Sequence, residues 1–103
     1  MDEDFFSALK AALHSAKTLE AEVEDLEHER KRVLAKEIVA QGNISVAKAE
    51  EVARAGEAYG TFLATLKAKR QDMAKASADA EYLKTRWETW RSQQATKRAK
   101  EYQ

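Results

Sequence analysis

Two long stretches without proline, residues 4–41 and 45–100, are separated only by the short segment 42–44. Since proline is the residue that breaks helices most strongly, each stretch can form one continuous helix. At about 1.5 Å per residue, the helices would be roughly 57 Å and 84 Å long. The sequence therefore predicts a single all-α domain over residues 1–103, an antiparallel two-helix coiled-coil hairpin with a longer second helix.

Apolar residues recur in both stretches at alternating three- and four-residue steps. This spacing is typical of the a/d seam through which coiled-coil helices pack. Arg30 interrupts the seam of the first stretch, and Lys69 interrupts that of the second. The predicted seam residues are Phe5, Leu9, Ala12, Ala16, Leu19, Val23, Leu26 and Val33, followed by Val52, Ala55, Tyr59, Phe62, Leu66, Met73, Ala76, Ala80, Leu83, Trp87 and Trp90.

The predicted turn has residues suited to ending one helix and starting the next. Gly42 can adopt the left-handed conformation common after a helix, and either Ser45 or Asn43 can cap the second helix. Folding back at this turn would place Leu26 near Phe62, so that apolar residues meet.

Two glycines lie inside the predicted second helix, where each costs about 1 kcal/mol relative to alanine. Gly56 and Gly60 would face the region around Arg30, and their missing side chains would give that residue room. We therefore consider Arg30, Gly56 and Gly60 a candidate close approach or hinge, beside the simpler alternative that a surface helix tolerates both glycines.

The composition favours a soluble cytoplasmic protein. The chain contains no cysteine, so disulfides and thiolate metal sites are excluded. Its acidic N-terminus differs from a signal peptide, and its apolar runs are too short for a membrane span. The 18 basic and 18 acidic residues balance. Acidic residues are nevertheless in excess over residues 1–60, and basic residues over residues 61–103. The acidic run 20–29 is interpreted as a solvated face or as a docking surface.

The last residues of the second helix are the main candidate functional region. About 17 residues would extend beyond the shorter first helix and have no partner from their own chain. Association of two copies or four would cover this face, and binding of a different protein is the alternative. The candidate association residues are Tyr82, Leu83, Arg86, Trp87, Trp90 and Arg91. Nucleic-acid binding is a less favoured alternative. The candidate contacts for it are Arg86, Arg91, Lys97, Arg98 and Lys100.

Neither histidine is placed for catalysis or for metal binding. His14 and His28 fall on the outer f position of the heptad. Asp25 and His28 have the spacing of bundle metal ligands, but such ligands point into a helical core. The sequence also lacks a nucleophile elbow and a phosphate-binding glycine loop. We expect no enzymatic activity, cofactor or metal.

The C-terminal segment, residues 81–102, resembles small helical-hairpin proteins encoded by bacteriophages and prophages. The matching residues are Leu83, Lys84, Arg86, Arg91, Ser92 and Arg98. That resemblance implies no established activity, although such proteins commonly lie near recombination or early-acting genes. A more distant similarity is to coiled-coil stalk proteins of bacterial type III export.

Together these features predict a non-enzymatic accessory or inhibitor protein of phage type that binds another protein. The alternatives are a nucleic-acid-binding recombination accessory and a stalk protein of a secretion apparatus.

Overall fold

A computed structural model describes residues 1–102 and contains three helices within them. These are α1 (Glu3–Ala40), α2 (Val46–Ala55) and α3 (Glu57–Glu101). No strand occurs among the described residues, so the predicted all-α class is confirmed. No helix in this part of the chain is both long enough and apolar enough to cross a membrane.

The connection between α1 and α2 uses the residues predicted for it. Gly42 has a positive φ of 72°, and its N–H donates to the Val39 carbonyl at 3.2 Å. Glycine has no Cβ, so this left-handed conformation costs it little. The Ser45 hydroxyl accepts from the Lys48 N–H at 3.2 Å and therefore caps α2. Of the two candidate caps, Ser45 rather than Asn43 is used.

The predicted continuous helix over residues 45–100 is wrong at one position, because Gly56 separates α2 from α3. Its backbone is extended, with φ −74° and ψ 156°, and its N–H donates to the Ala53 carbonyl. Glycine favours a helix less than other residues except proline. The break therefore occurs where local helix propensity is weak.

The described chain divides into two compact units. We call residues 19–73 the turn unit, and residues 1–18 together with residues 74–102 the terminal unit. Helices α1 and α3 contribute residues to both. The buried core of the turn unit consists of Val23, Ala49, Ala53, Tyr59 and Leu66, of which Leu66 is the least exposed at 1%.

The seam prediction holds in α3 but fails in α2. From Tyr59 onwards, every predicted seam residue is buried or half-buried. In α2, however, Val52 is 38% exposed and Ala55 is exposed, while Ala49 and Ala53 are buried instead. Because the extended Gly56 resets the helical phase, the buried face of α2 does not continue the heptad of α3.

Acidic residues of the run 20–29 form ion pairs within the turn unit. Glu22 pairs with Lys69 of α3 at 3.1 Å. Glu27 meets Arg70 of α3 and also Arg30, one turn along α1. The Glu27–Arg30 pair is local to α1, whereas the other two join α1 to α3.

Candidate interaction surface in the terminal unit

The two tryptophans lie on one face of α3 in the terminal unit. Trp87 and Trp90 are three residues apart, which places them on adjacent turns of the same helix face. Both rings are half-buried, as is Leu83, whereas Tyr82 is 64% exposed. The structure therefore brings the predicted association residues to one partly open stretch of α3.

The start of α1 covers part of this stretch. The Asp2 carboxylate accepts from the Phe5 N–H at 2.9 Å and so caps α1. Met1 and Trp90 line the same groove, which has a volume of about 300 Å³. The expectation that both tryptophans lie beyond the reach of their own chain is thus wrong for Trp90. The reason is that Met1 and Asp2 precede α1 and extend its reach.

Phe5 and Phe6 add an aromatic cluster to the terminal unit. Their ring centroids are 5.8 Å apart and the ring planes meet at 78°, an edge-to-face arrangement. Phe5 is half-buried, and Phe6 is 42% exposed. The exposed Phe6 ring is available to a partner.

Two arginines stack on these aromatic rings. The Arg86 guanidinium carbon lies 5.5 Å from the centre of the Phe5 ring and 5.9 Å from that of Tyr82. The Arg91 guanidinium carbon lies 4.8 Å from the Trp87 ring. Cation–π contacts at exposed sites contribute about 0.5–1 kcal/mol each. Both arginines are exposed, so their charge stays accessible.

A second groove of about 360 Å³ lies along the C-terminal side of Trp87 and Trp90. Arg91 and Arg98 also line it. A surface that combines tryptophan with arginine has the composition of an interaction hot spot. The groove therefore extends the Trp87–Trp90 face toward the end of α3.

Five basic residues of α3 are predicted as nucleic-acid contacts. Among the described residues, no ion pair involves the candidate nucleic-acid contacts. Those residues are Arg86, Arg91, Lys97, Arg98 and Lys100. The C-terminal part of α3 thus carries positive charges that are not held in ion pairs with described residues.

Burial in the terminal unit is slight. Ala80 is its only buried residue within the part that the structure describes. Leu83, Trp87 and Trp90 continue the same heptad but stay half-buried. These three side chains keep the heptad spacing but are only half-buried, so part of their surface is not covered by the described chain.

The close approach expected at the interior glycines does not occur at Gly60. A Cβ built on Gly60 would meet no described atom within 4 Å, so its missing side chain makes no room for Arg30. Gly56 instead breaks the helix. A hinge at Gly56 stays a prediction.

The histidines and acids present no evident metal centre. His14 and His28 are exposed on α1. Within residues 1–102, no group of three or more histidine, cysteine, aspartate or glutamate side chains could hold a metal ion.

Sequence reasoning found Tyr82 but missed Met1, which lines a groove with Tyr82 and Trp90, and the exposed ring of Phe6. The available signal was the adjacent pair Phe5–Phe6 in the first turn of α1, because two neighbouring residues do not share one helix face and only Phe5 falls on the seam. Arginine stacking on specific rings has no sequence signature, since it depends on tertiary placement.

Comparison with known proteins gave no match to any family model, any curated protein or any solved structure. The similarity of residues 81–102 to phage-encoded hairpin proteins therefore remains a prediction.

Proposed function

We propose that this protein has no enzymatic activity and acts by binding, and that a second copy of itself is the first partner of its Trp–Arg surface. We define that surface as Phe6, Tyr82, Leu83, Arg86, Trp87, Trp90 and Arg91. In this proposal the chain is an accessory or inhibitor protein of phage or prophage type. The self-associated form is the one that binds a further protein.

The observation that carries the proposal is the half-burial of Leu83, Trp87 and Trp90. In the turn unit, the seam residues Tyr59 and Leu66 are only 5% and 1% exposed. Coiled-coil seams gain stability when each a/d side chain inserts between residues of a facing helix. A second copy would supply that facing helix in the terminal unit.

The size of a stable interface indicates how far the contact must extend. Dimers held by specific interfaces bury roughly 1,200–2,000 Å² in total. Two half-buried tryptophans cannot supply this area alone. The contact must therefore also use neighbours such as Tyr82 and Phe6, which are 64% and 42% exposed.

The proposal includes an antiparallel hairpin as the protomer. Within the turn unit, Glu22 near the start of that unit pairs with Lys69 near its end. Arg30 lies further along α1 and shares a cavity with Tyr59, which lies earlier in α3. Such pairing supports α1 and α3 running in opposite directions there.

Light scattering tests self-association. At about 50 µM, a concentration that populates a dimer with a micromolar Kd, the mass should be at least twice the chain mass of 11.6 kDa. The double variant Trp87→Ala, Trp90→Ala should be shifted toward the monomer. Tyr102→Ala is the matched control, because this aromatic residue directly follows α3, is 91% exposed and lies outside the surface.

A strictly monomeric wild type that still unfolds cooperatively would contradict the proposed second copy. Circular dichroism must show the double variant to be as helical as the wild type. If it unfolds, Arg86→Ala and Arg91→Ala provide a milder test of the same surface.

Nucleic-acid binding is the second candidate function. It is favoured by the basic side chains near the end of α3 that form no ion pair with described residues. Lys97 and Lys100 line a groove of about 470 Å³ together with Thr89, Gln93 and Thr96. Ammonium, hydroxyl and amide groups are common phosphate contacts. The neutral charge of the whole chain and the acidic run 20–29 oppose this function.

A further inference from the structure

Arg30 occupies a seam position of α1, where an apolar residue is expected. In the turn unit its side chain is 43% exposed and lines a cavity of about 180 Å³. The other lining residues are Lys31, Leu34, Arg54 and Tyr59. Three of these five side chains are cationic, while Leu34 and the buried Tyr59 provide apolar wall. None of these residues belongs to the Trp–Arg surface.

The break at Gly56 explains how α2 and α3 both reach this cavity. Arg54 and Tyr59 are five residues apart, so on an uninterrupted helix they would point about 140° away from each other. The extended conformation of Gly56 ends α2 and lets α3 begin in a new phase. The glycine that interrupts the helix is therefore also the residue that assembles the cavity.

The charge around the cavity remains positive after its acidic neighbours are counted. Glu50 binds Arg54 at 2.8 Å, and Glu27 lies 3.7 Å from Arg30. Glu27 is shared with Arg70, which also carries a positive charge. Lys31 forms no ion pair with a described residue. The three lining cations thus have two carboxylate partners, one of which also binds Arg70.

The cavity volume limits the size of the ligand. A volume of about 180 Å³ equals that of roughly six liquid waters. This space accommodates a tetrahedral oxyanion with a few waters, but not an extended peptide. Guanidinium groups donate paired hydrogen bonds that match phosphate oxygens.

We propose that this cavity binds a phosphate-sized oxyanion through Arg30, Lys31 and Arg54. The ligand is inorganic phosphate or the phosphoryl group of a small monoester. Arg30 and Arg54 approach from α1 and α2, and Lys31 supplies the cation that no acid neutralises. Arg30 is thereby given a role at a position where leucine would pack better.

The test is a titration of the full chain with inorganic phosphate and, separately, with phenyl phosphate. Sodium chloride holds the ionic strength constant, and backbone amide NMR shifts report binding. Saturable shifts are expected at Lys31, Arg54 and Tyr59. Arg30→Gln should weaken binding by about tenfold or more, the effect of losing one charge-assisted hydrogen bond.

Arg32→Gln is the matched control. Arg32 lies two residues from Arg30, is 81% exposed and pairs with Glu29, but does not line the cavity. The Arg32→Gln substitution removes the same charge as Arg30→Gln and should leave phosphate affinity unchanged. Equal losses in the two variants would assign binding to general surface charge and overturn the proposal, as would shifts that never saturate.

A further variant tests the geometry without changing any charge. Gly56→Ala favours a continuous helix and should therefore weaken phosphate binding through the altered phase of Arg54 and Tyr59. Unchanged affinity would contradict the role of the break. If Arg30→Gln fails to fold by circular dichroism, Lys31→Gln replaces it and should show the same loss. Tighter binding of phenyl phosphate than of phosphate would identify a monoester as the ligand, and equal binding would identify the free anion.

Discussion

Lys69 donates a hydrogen bond from Nζ to the Glu22 carboxylate at 3.1 Å, across α1 and α3 of the turn unit. Lys69 is the polar residue in the apolar seam of α3, and the two side chains are 40% and 44% exposed. The polar residue that interrupts the seam of α3 is therefore paired with an acid of α1.

A double-mutant cycle measures the strength of this pair. Glu22→Gln, Lys69→Met and the combined variant should give a coupling energy of about 0.2–1 kcal/mol, because both groups remain partly solvated. Urea unfolding supplies the free energies. A coupling above about 2 kcal/mol would mean that the pair is more thoroughly desolvated in solution than its exposure indicates.

Leu66 should be a major determinant of stability in the turn unit. It is the only large side chain among the described residues that is essentially fully buried. Leu66→Ala should cost about 2–5 kcal/mol of unfolding free energy. Leu63→Ala is the control, since Leu63 lies one turn earlier on α3 but is 38% exposed, and it should cost about 1 kcal/mol or less. Similar losses for both leucines would show that the buried face of α3 is misassigned.

The two interior glycines should respond differently to alanine. Gly60 is helical and has free space around its missing side chain, so Gly60→Ala should stabilise the protein by about 0.5–1 kcal/mol. Gly56→Ala should bring no such gain, because Gly56 is extended and a Cβ there lies 3.3 Å from the Ala53 carbonyl oxygen. Thermal unfolding of the two variants compares them directly. Equal stabilisation would indicate that α2 and α3 are continuous in solution.

Tryptophan fluorescence should report self-association without a label. The chain has two tryptophans, and both lie in the Trp–Arg surface. Dilution from a dimeric to a monomeric concentration should therefore move the emission maximum to longer wavelength as the rings meet water. An emission maximum independent of concentration, in a sample whose mass does change, would place the interface elsewhere.

DNA binding should be feeble at physiological salt. We expect a Kd weaker than about 1 µM, because the chain is neutral overall and its acidic run opposes approach. If the basic side chains near the end of α3 do contact phosphates, each single replacement, Arg98→Gln or Lys100→Gln, should flatten the slope of log affinity against log salt concentration by about one. Tight binding abolished by Trp87→Ala, Trp90→Ala would instead make nucleic acid the main ligand.

The sequence determined the helical class, the turn and the buried face of α3. Each depends on a local or repetitive signal. The heptad that begins at Tyr59 extends over many turns, so one exception such as Lys69 does not obscure it. Gly42 and Ser45 act through their own backbone and side-chain chemistry, which neighbours alter little.

Tertiary structure decided the break at Gly56, the phase of α2, the cation–π contacts and the cavity beside Arg30. A glycine in a helix costs only about 1 kcal/mol, which is less than packing can contribute. Whether Gly56 stays helical therefore depends on how well Ala49 and Ala53 are buried, and sequence alone does not give that energy. Local periodicity fixes which residues share a face; only the packed helices determine where that periodicity is interrupted and which charged side chains then meet.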